Sequence, residues 1–227
     1  ACRRAAAATL AALLYAGLRP HRPGGTHRPA PVRGVRAGLS VLRGDPTLRA
    51  TVGLAAVAIA TSGFQTAALY SFVTARLGLP ASFLGVLLSA QGAGSVAGGL
   101  VVGRILGRRG PLAVAGAGAL LCAAGCLARC LPWWPATVAA GVVTGVGLPW
   151  TLVAALTAVQ TRTPDALLGR VGAAANTALF GPLVLTIPLG SATVHLGARP
   201  AFAAAAAACL AATAVARRGA RPGRASP

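Results

Sequence analysis

Three cysteines at four-residue spacing, Cys122, Cys126 and Cys130, are the nearest this chain comes to a metal or redox cluster. On a helix that spacing lies roughly along one face. Thiolates so placed could grip a soft metal, but zinc sites favour paired CxxC spacing, and no His or acidic residue stands nearby. Small thiols packed inside a helix account for the pattern better. Cys2 and Cys209 bring the count to five, an odd number that leaves no complete disulfide framework. His195 is the one histidine beyond residue 27, and a proton role for it competes with plain loop exposure. The acidic residues are Asp45 and Asp165, and glutamate is absent. No Ser-His-Asp set and no phosphate loop after a strand can be assembled. An enzyme, a bound metal and a cofactor are therefore not expected.

The elements that carry these residues are long and apolar. Nearly uncharged runs of about 19 to 25 residues recur between Thr51 and Val215, each long enough to cross a bilayer as a helix. Mean hydropathy is +0.72 and the hydrophobic fraction 56%, supplied largely by Ala, with Gly also frequent. Small residues of this kind let membrane helices approach closely. The expected fold is an all-α membrane protein. Spans are expected near residues 48–74, 81–103, 111–129, 136–159, 168–194 and 200–215, after a shorter apolar stretch at 4–18 that resembles the end of a helix. Residues 19–31 are rich in Pro, Gly, His and Arg and poorly suited to regular structure. A short amphipathic surface helix is expected at 32–43, with Val35, Leu39 and Leu42 on one face. Asp45 and Pro46 then form a cap and first turn. The domain plan is a partial helix at 1–18, a basic linker at 19–47, a six-helix bundle at 48–216 and a disordered tail at 217–227.

Charge follows the same plan. All 21 basic residues are Arg, and the net charge is +19. Such a charge would ordinarily point to nucleic acid. Here the arginines fall mainly in connectors between bilayer-length spans, which disfavours nucleic acid and favours anionic lipid as the partner. With the C-terminus cytoplasmic, sixteen arginines lie inside and one lies in each outer connector, at Arg76, Arg129 and Arg199. Arg3 and Arg4 are the exceptions to this positive-inside pattern. A multi-pass plasma-membrane protein is expected. Trp133 and Trp134, between Pro132 and Pro135, suit the headgroup layer.

Inside the spans, Gln65, Tyr70, Gln91, Trp150, Thr157 and Asn176 are candidates to line a path, since polar groups in hydrocarbon face a bundle or a cavity. Helix–helix hydrogen bonding is the competing role for each. Gly145, Pro149, Pro182 and Pro188 are candidates for close packing and bending. Neither acidic residue falls inside a span, so a titratable group for ion coupling must come from elsewhere.

Two stretches carry a family resemblance. Gly99, Arg104, Gly107, Arg108 and Arg109 resemble the loop signature of the major facilitator superfamily: Gly, three residues, Asp, a basic residue, then Gly and two basic residues. Gly103 stands where the acid is expected, and one extra residue precedes Gly107. The stretch from Gln160 to Val171, with Arg162, Asp165 and Arg170, resembles the connector between helices ten and eleven of the bacterial exporter branch that includes siderophore and macrolide exporters. Gly181-Pro182, Pro188-Leu189-Gly190 and Arg43-Gly44-Asp45-Pro46 are similar to that branch too. The similarity extends over residues 5–216. It implies the end of helix six, the central loop and helices seven to twelve of a twelve-helix transporter. It further implies alternating access by rocking of two halves, efflux of an unidentified small molecule driven by an ion gradient, and a partner in the form of an N-terminal half or a second half-chain. The basic residues above would form a gating loop at the inner face, against the alternative of a plain positive-inside anchor, and Asp165 would pair with Arg162 or Arg170 or serve as a helix cap. A non-transporting remnant or auxiliary membrane protein is the alternative.

Overall fold

The computed structural model describes residues 33–192 and 198–219. The apolar stretch at 4–18, the linker at 19–31, His195 and the tail from residue 220 lie outside the described residues. Among those described, every regular element is a helix: α1 (Arg33–Gly44), α2 (Pro46–Ser71), α3 (Phe83–Arg109), α4 (Pro111–Ala128), α5 (Trp134–Arg162), α6 (Asp165–Phe180), α7 (Leu183–Ala192) and α8 (Ala198–Gly219). A π-helical turn, Phe72–Arg76, closes α2. Taking α6 and α7 as one crossing, six spans are long and apolar enough to cross a membrane.

Local chemistry explains the boundaries. The Asp45 carboxylate accepts from the backbone N–H of Thr47 at 2.8 Å and of Leu48 at 3.2 Å, and Pro46 takes the first helical position. Two orphan donors of α2 are thereby satisfied. At the end of α3 the outcome departs from the expected turn. The helix runs on through Arg104, Gly107 and Arg108 to Arg109, and the connector shrinks to Gly110. Arginine is a good helix former and its long stem carries the charge out to the headgroups, so loss of hydropathy need not end a helix. Gly110, at φ 75°, ends it in a backbone conformation that favours glycine. Helix α5 likewise continues to Arg162, beyond the expected 159, and α8 to Gly219, beyond 215. Pro182, with Gly181, separates α6 from α7, whereas Pro188 lies inside α7 without breaking it.

The bundle is organised around α2 and α5. Helix α5 packs along α3 and α4, while α2 packs against α7, α8 and α6, and the two also touch each other. The seams rest on missing side chains. A Cβ on Gly98 would lie 2.9 Å from the Val146 Cα, and one on Gly118 would lie 2.6 Å from the Gly147 carbonyl oxygen. Backbones this close gain dispersion contact and interhelical polar bonds, which drive association where lipid tails are as apolar as leucine. Phe72 and Phe202 meet edge-to-face at 5.6 Å, and Phe83 and Trp134 at 6.2 Å, so aromatic contacts fasten one end of the bundle. The α1 helix departs from a purely surface role. Leu42 is buried with Val171 in a shared cluster that Leu39 joins, and a Cβ on Gly38 would sit 2.6 Å from the Arg170 carbonyl oxygen. Leu39 and Leu42 of the α1 stripe are covered in part by α6.

Candidate functional site

Four of the residues expected to line a path or bend a helix come together in one seam between α3 and α5. Pro149 has no N–H, so the carbonyl of Gly145, four residues earlier, loses its helical donor. The Ser95 hydroxyl on α3 donates to that carbonyl at 3.1 Å. One turn on, the Trp150 indole N–H donates to the Gly98 carbonyl at 3.1 Å. A Cβ on Gly145 would run into the carbonyl of Gln91, and Gln91 itself is half-buried. A proline, two glycines and two donors thus build one interhelical contact. Ser95 was not singled out from the sequence, although a hydroxyl one residue from Gly94 was its available signal.

Gln65 lies elsewhere. It is 3% exposed, and its side-chain oxygen accepts from an Arg129 Nη at 2.7 Å. Arg129 is 2% exposed and its Nε has no partner. The Cys126 thiol also donates to Gln65, at 3.6 Å, so the cysteine stripe lies against this pair. Cys122, Cys126, Cys130 and Cys209 are all free thiols, and no group of three metal-ligating side chains occurs among the described residues. Tyr70 and Asn176 are exposed and Thr157 is half-buried. The six polar residues do not form one continuous lining.

The opposite, basic end joins residues far apart in sequence. Arg162, the last residue of α5, forms an ion pair with Asp45 at 3.0 Å. Of the roles expected for Asp165, a pairing with Arg162 or Arg170 or a helix cap, the pairing with Arg162 is not seen, since Arg162 is engaged with Asp45. Asp165 opens α6, where a carboxylate complements the helix dipole, and it forms no ion pair among the described residues. Burial pulls the Asp45 carboxyl upward, but hydrogen bonds from Arg162, Leu48 and Thr47 outweigh it and leave the group below its ordinary value of 3.8. Arg104, Arg108, Arg109 and Arg170 are exposed, and a Cβ on Gly99 or Gly107 would meet open space. The basic cluster is therefore the last turns of a helix whose side chains face outward.

Six apolar spans, with both carboxylates placed at helix ends, define a multi-pass α-helical membrane protein. The model of the Major Facilitator Superfamily matches residues 51–227, and the chain belongs to that family. It is thus a member of a family of membrane transporters, whose work is movement of solutes rather than catalysis. No curated protein and no solved structure matches the chain.

Proposed function

We propose that this chain acts as the C-terminal six-helix bundle of an efflux-type secondary transporter in the plasma membrane, rocking against an N-terminal half or a second half-chain. The observation that carries the proposal is uneven burial. The most apolar windows of Phe83–Arg109 and Asp165–Ala192 are each 22% buried, against 39–44% in the other four spans. Both helices pack on the central α2–α5 pair and not substantially on each other. A bundle with two underpacked helices has a face left for another bundle, as two-half transporters require.

The arginine asymmetry supports a basic end turned to the cytoplasm. The Ser95, Gly145, Pro149 and Trp150 seam fixes α3 on α5, and the Arg162–Asp45 pair ties the end of α5 to the start of α2, so the bundle can move as one body. Among the described residues no carboxylate stands inside a span, so ion coupling draws its titratable group from the partner half. That same absence, together with Gly103 in place of the signature acid, favours the second reading: an auxiliary bundle that does not transport.

The test is export of a fluorescent substrate panel from cells expressing the chain alone or together with a six-helix segment encoded in frame upstream of Ala1. Gradient-dependent export only with the added half supports the proposal. Stop codons upstream, with no export in any combination and no self-assembly, would select the auxiliary reading.

A further inference from the structure

We propose that the basic end carries a binding site for one anionic phospholipid, with the headgroup phosphate held by Arg109 and Arg217 beside Arg162. A cavity of about 1040 Å³ opens there between α2, α4 and α8, and these three arginines, from the ends of three different helices, line it. Arg162 shares its charge with Asp45, whereas Arg109 and Arg217 have no carboxylate partner among the described residues. The cavity mouth therefore holds two uncompensated positive charges. The first turn of α4 opens at the same place without a side-chain cap, which adds to the positive potential.

Apart from Thr47 and Thr213, the rest of the cavity is lined by apolar residues and glycines. Leu54, Leu112, Ala117 and Leu120 form its wall, and the α4 lining from Pro111 to Leu120 reaches roughly 14 Å along the helix axis. A second furrow of about 490 Å³ between α2 and α8 shares Pro46, Leu54, Ala216 and Gly219 with the first. Two largely apolar furrows, the second also bordered by Arg49, thus adjoin one basic mouth. That shape fits a phosphate joined to two acyl chains, and it gives a soluble phosphate no use for the furrows. Helix-end arginines in general would attract anionic lipid as a diffuse layer. This cavity instead provides one defined position. The inference does not depend on transport.

The test uses the purified full chain, delipidated and titrated with phosphatidylglycerol or phosphatidylcholine, with bound lipid counted by native mass spectrometry. One phosphatidylglycerol should bind in preference to phosphatidylcholine. The pair Arg109→Gln and Arg217→Gln should weaken that binding about 30-fold, the effect of two lost headgroup charges. The pair Arg104→Gln and Arg170→Gln removes the same charge from the same end outside the cavity and should leave it within about threefold. Ala117→Phe keeps every arginine but fills the furrow, and should also abolish tight binding. Equal losses from both arginine pairs would overturn the site in favour of a diffuse basic surface. Displacement of the lipid by glycerol phosphate at equal concentration would overturn the lipid as ligand and assign the mouth to soluble phosphates. Unchanged binding in Ala117→Phe would overturn the role of the furrow.

Discussion

The two ends of this bundle treat arginine in opposite ways. At the basic end Arg109, Arg162 and Arg217 finish their helices with exposed side chains, and the pair with Asp45 is partly solvated. At the tryptophan end Arg129 follows α4 directly and is 2% exposed, with a neutral amide as its hydrogen-bond partner. Cations at exposed helix C-termini are favourable in place, and water and headgroups share the cost of the charge. A cation withdrawn from water against an amide and thiols keeps most of its desolvation cost. The charges at one end are therefore replaceable individually, whereas at the other end each polar partner matters.

The largest effect should come from removing the one side-chain acceptor that Arg129 has among the described residues. Gln65→Leu leaves the guanidinium buried without it and should cost about 3 kcal/mol in thermal unfolding in detergent. Adding Arg129→Met removes the charge and should recover most of that loss, because matched apolar replacement of a buried polar pair is often neutral. A double variant no better than the single one would show that packing, not desolvation, dominates there. Ser95→Ala, midway along the bundle, leaves the Gly145 carbonyl without its donor and should cost about 1 kcal/mol by the same measurement.

Effects at the basic end should be smaller. Asp45→Ala loses both the cap of α2 and the ion pair and should cost about 1 kcal/mol. Asp45→Asn keeps a capping oxygen and loses only the charge, so its cost should fall below about 0.5 kcal/mol. A cost as large as that of the alanine variant would place the pair, not the cap, in control. The smallest effect is a pH limb. The Asp45 carboxyl lies below 3.8 in the folded chain, so its contribution is complete above that value. It is lost as pH falls through the lower, folded value. Unfolding followed from pH 5 downward should show this limb in the native chain and a flatter one in Asp45→Asn.

Much of the fold was legible because its causes are local. Bilayer-length apolar runs, the Asp45-Pro46 start of α2 and the Pro111 start of α4 each have local causes, and the structure places them as the pattern implies. Helix ends were legible only to within about two turns. Hydropathy falls at the first arginine, but the helix continues while the arginine stems reach the headgroups, as α3 shows up to Arg109. The site was less legible. Gln91, Gly145, Pro149 and Trp150 were marked individually, but nothing in their spacing joined them, and Ser95 went unmarked. Gln65 looked like a path residue because a polar group in a span must face something. What it faces, Arg129, stands 64 positions away.

The sequence by itself determined that the described residues form an all-α bundle with six membrane spans, where the first capped span begins, and which segments carry the charge. Each of these depends on residues adjacent in the chain or repeating along one helix. Only the tertiary structure decided that Arg162 pairs with Asp45 across 117 positions, that Arg129 is buried while its counterparts are exposed, and that three helix ends enclose one basic cavity. Those outcomes depend on which helices adjoin and at what rotation. Close approach at glycines sets both, and a linear pattern of small residues does not say which backbone will fill each gap.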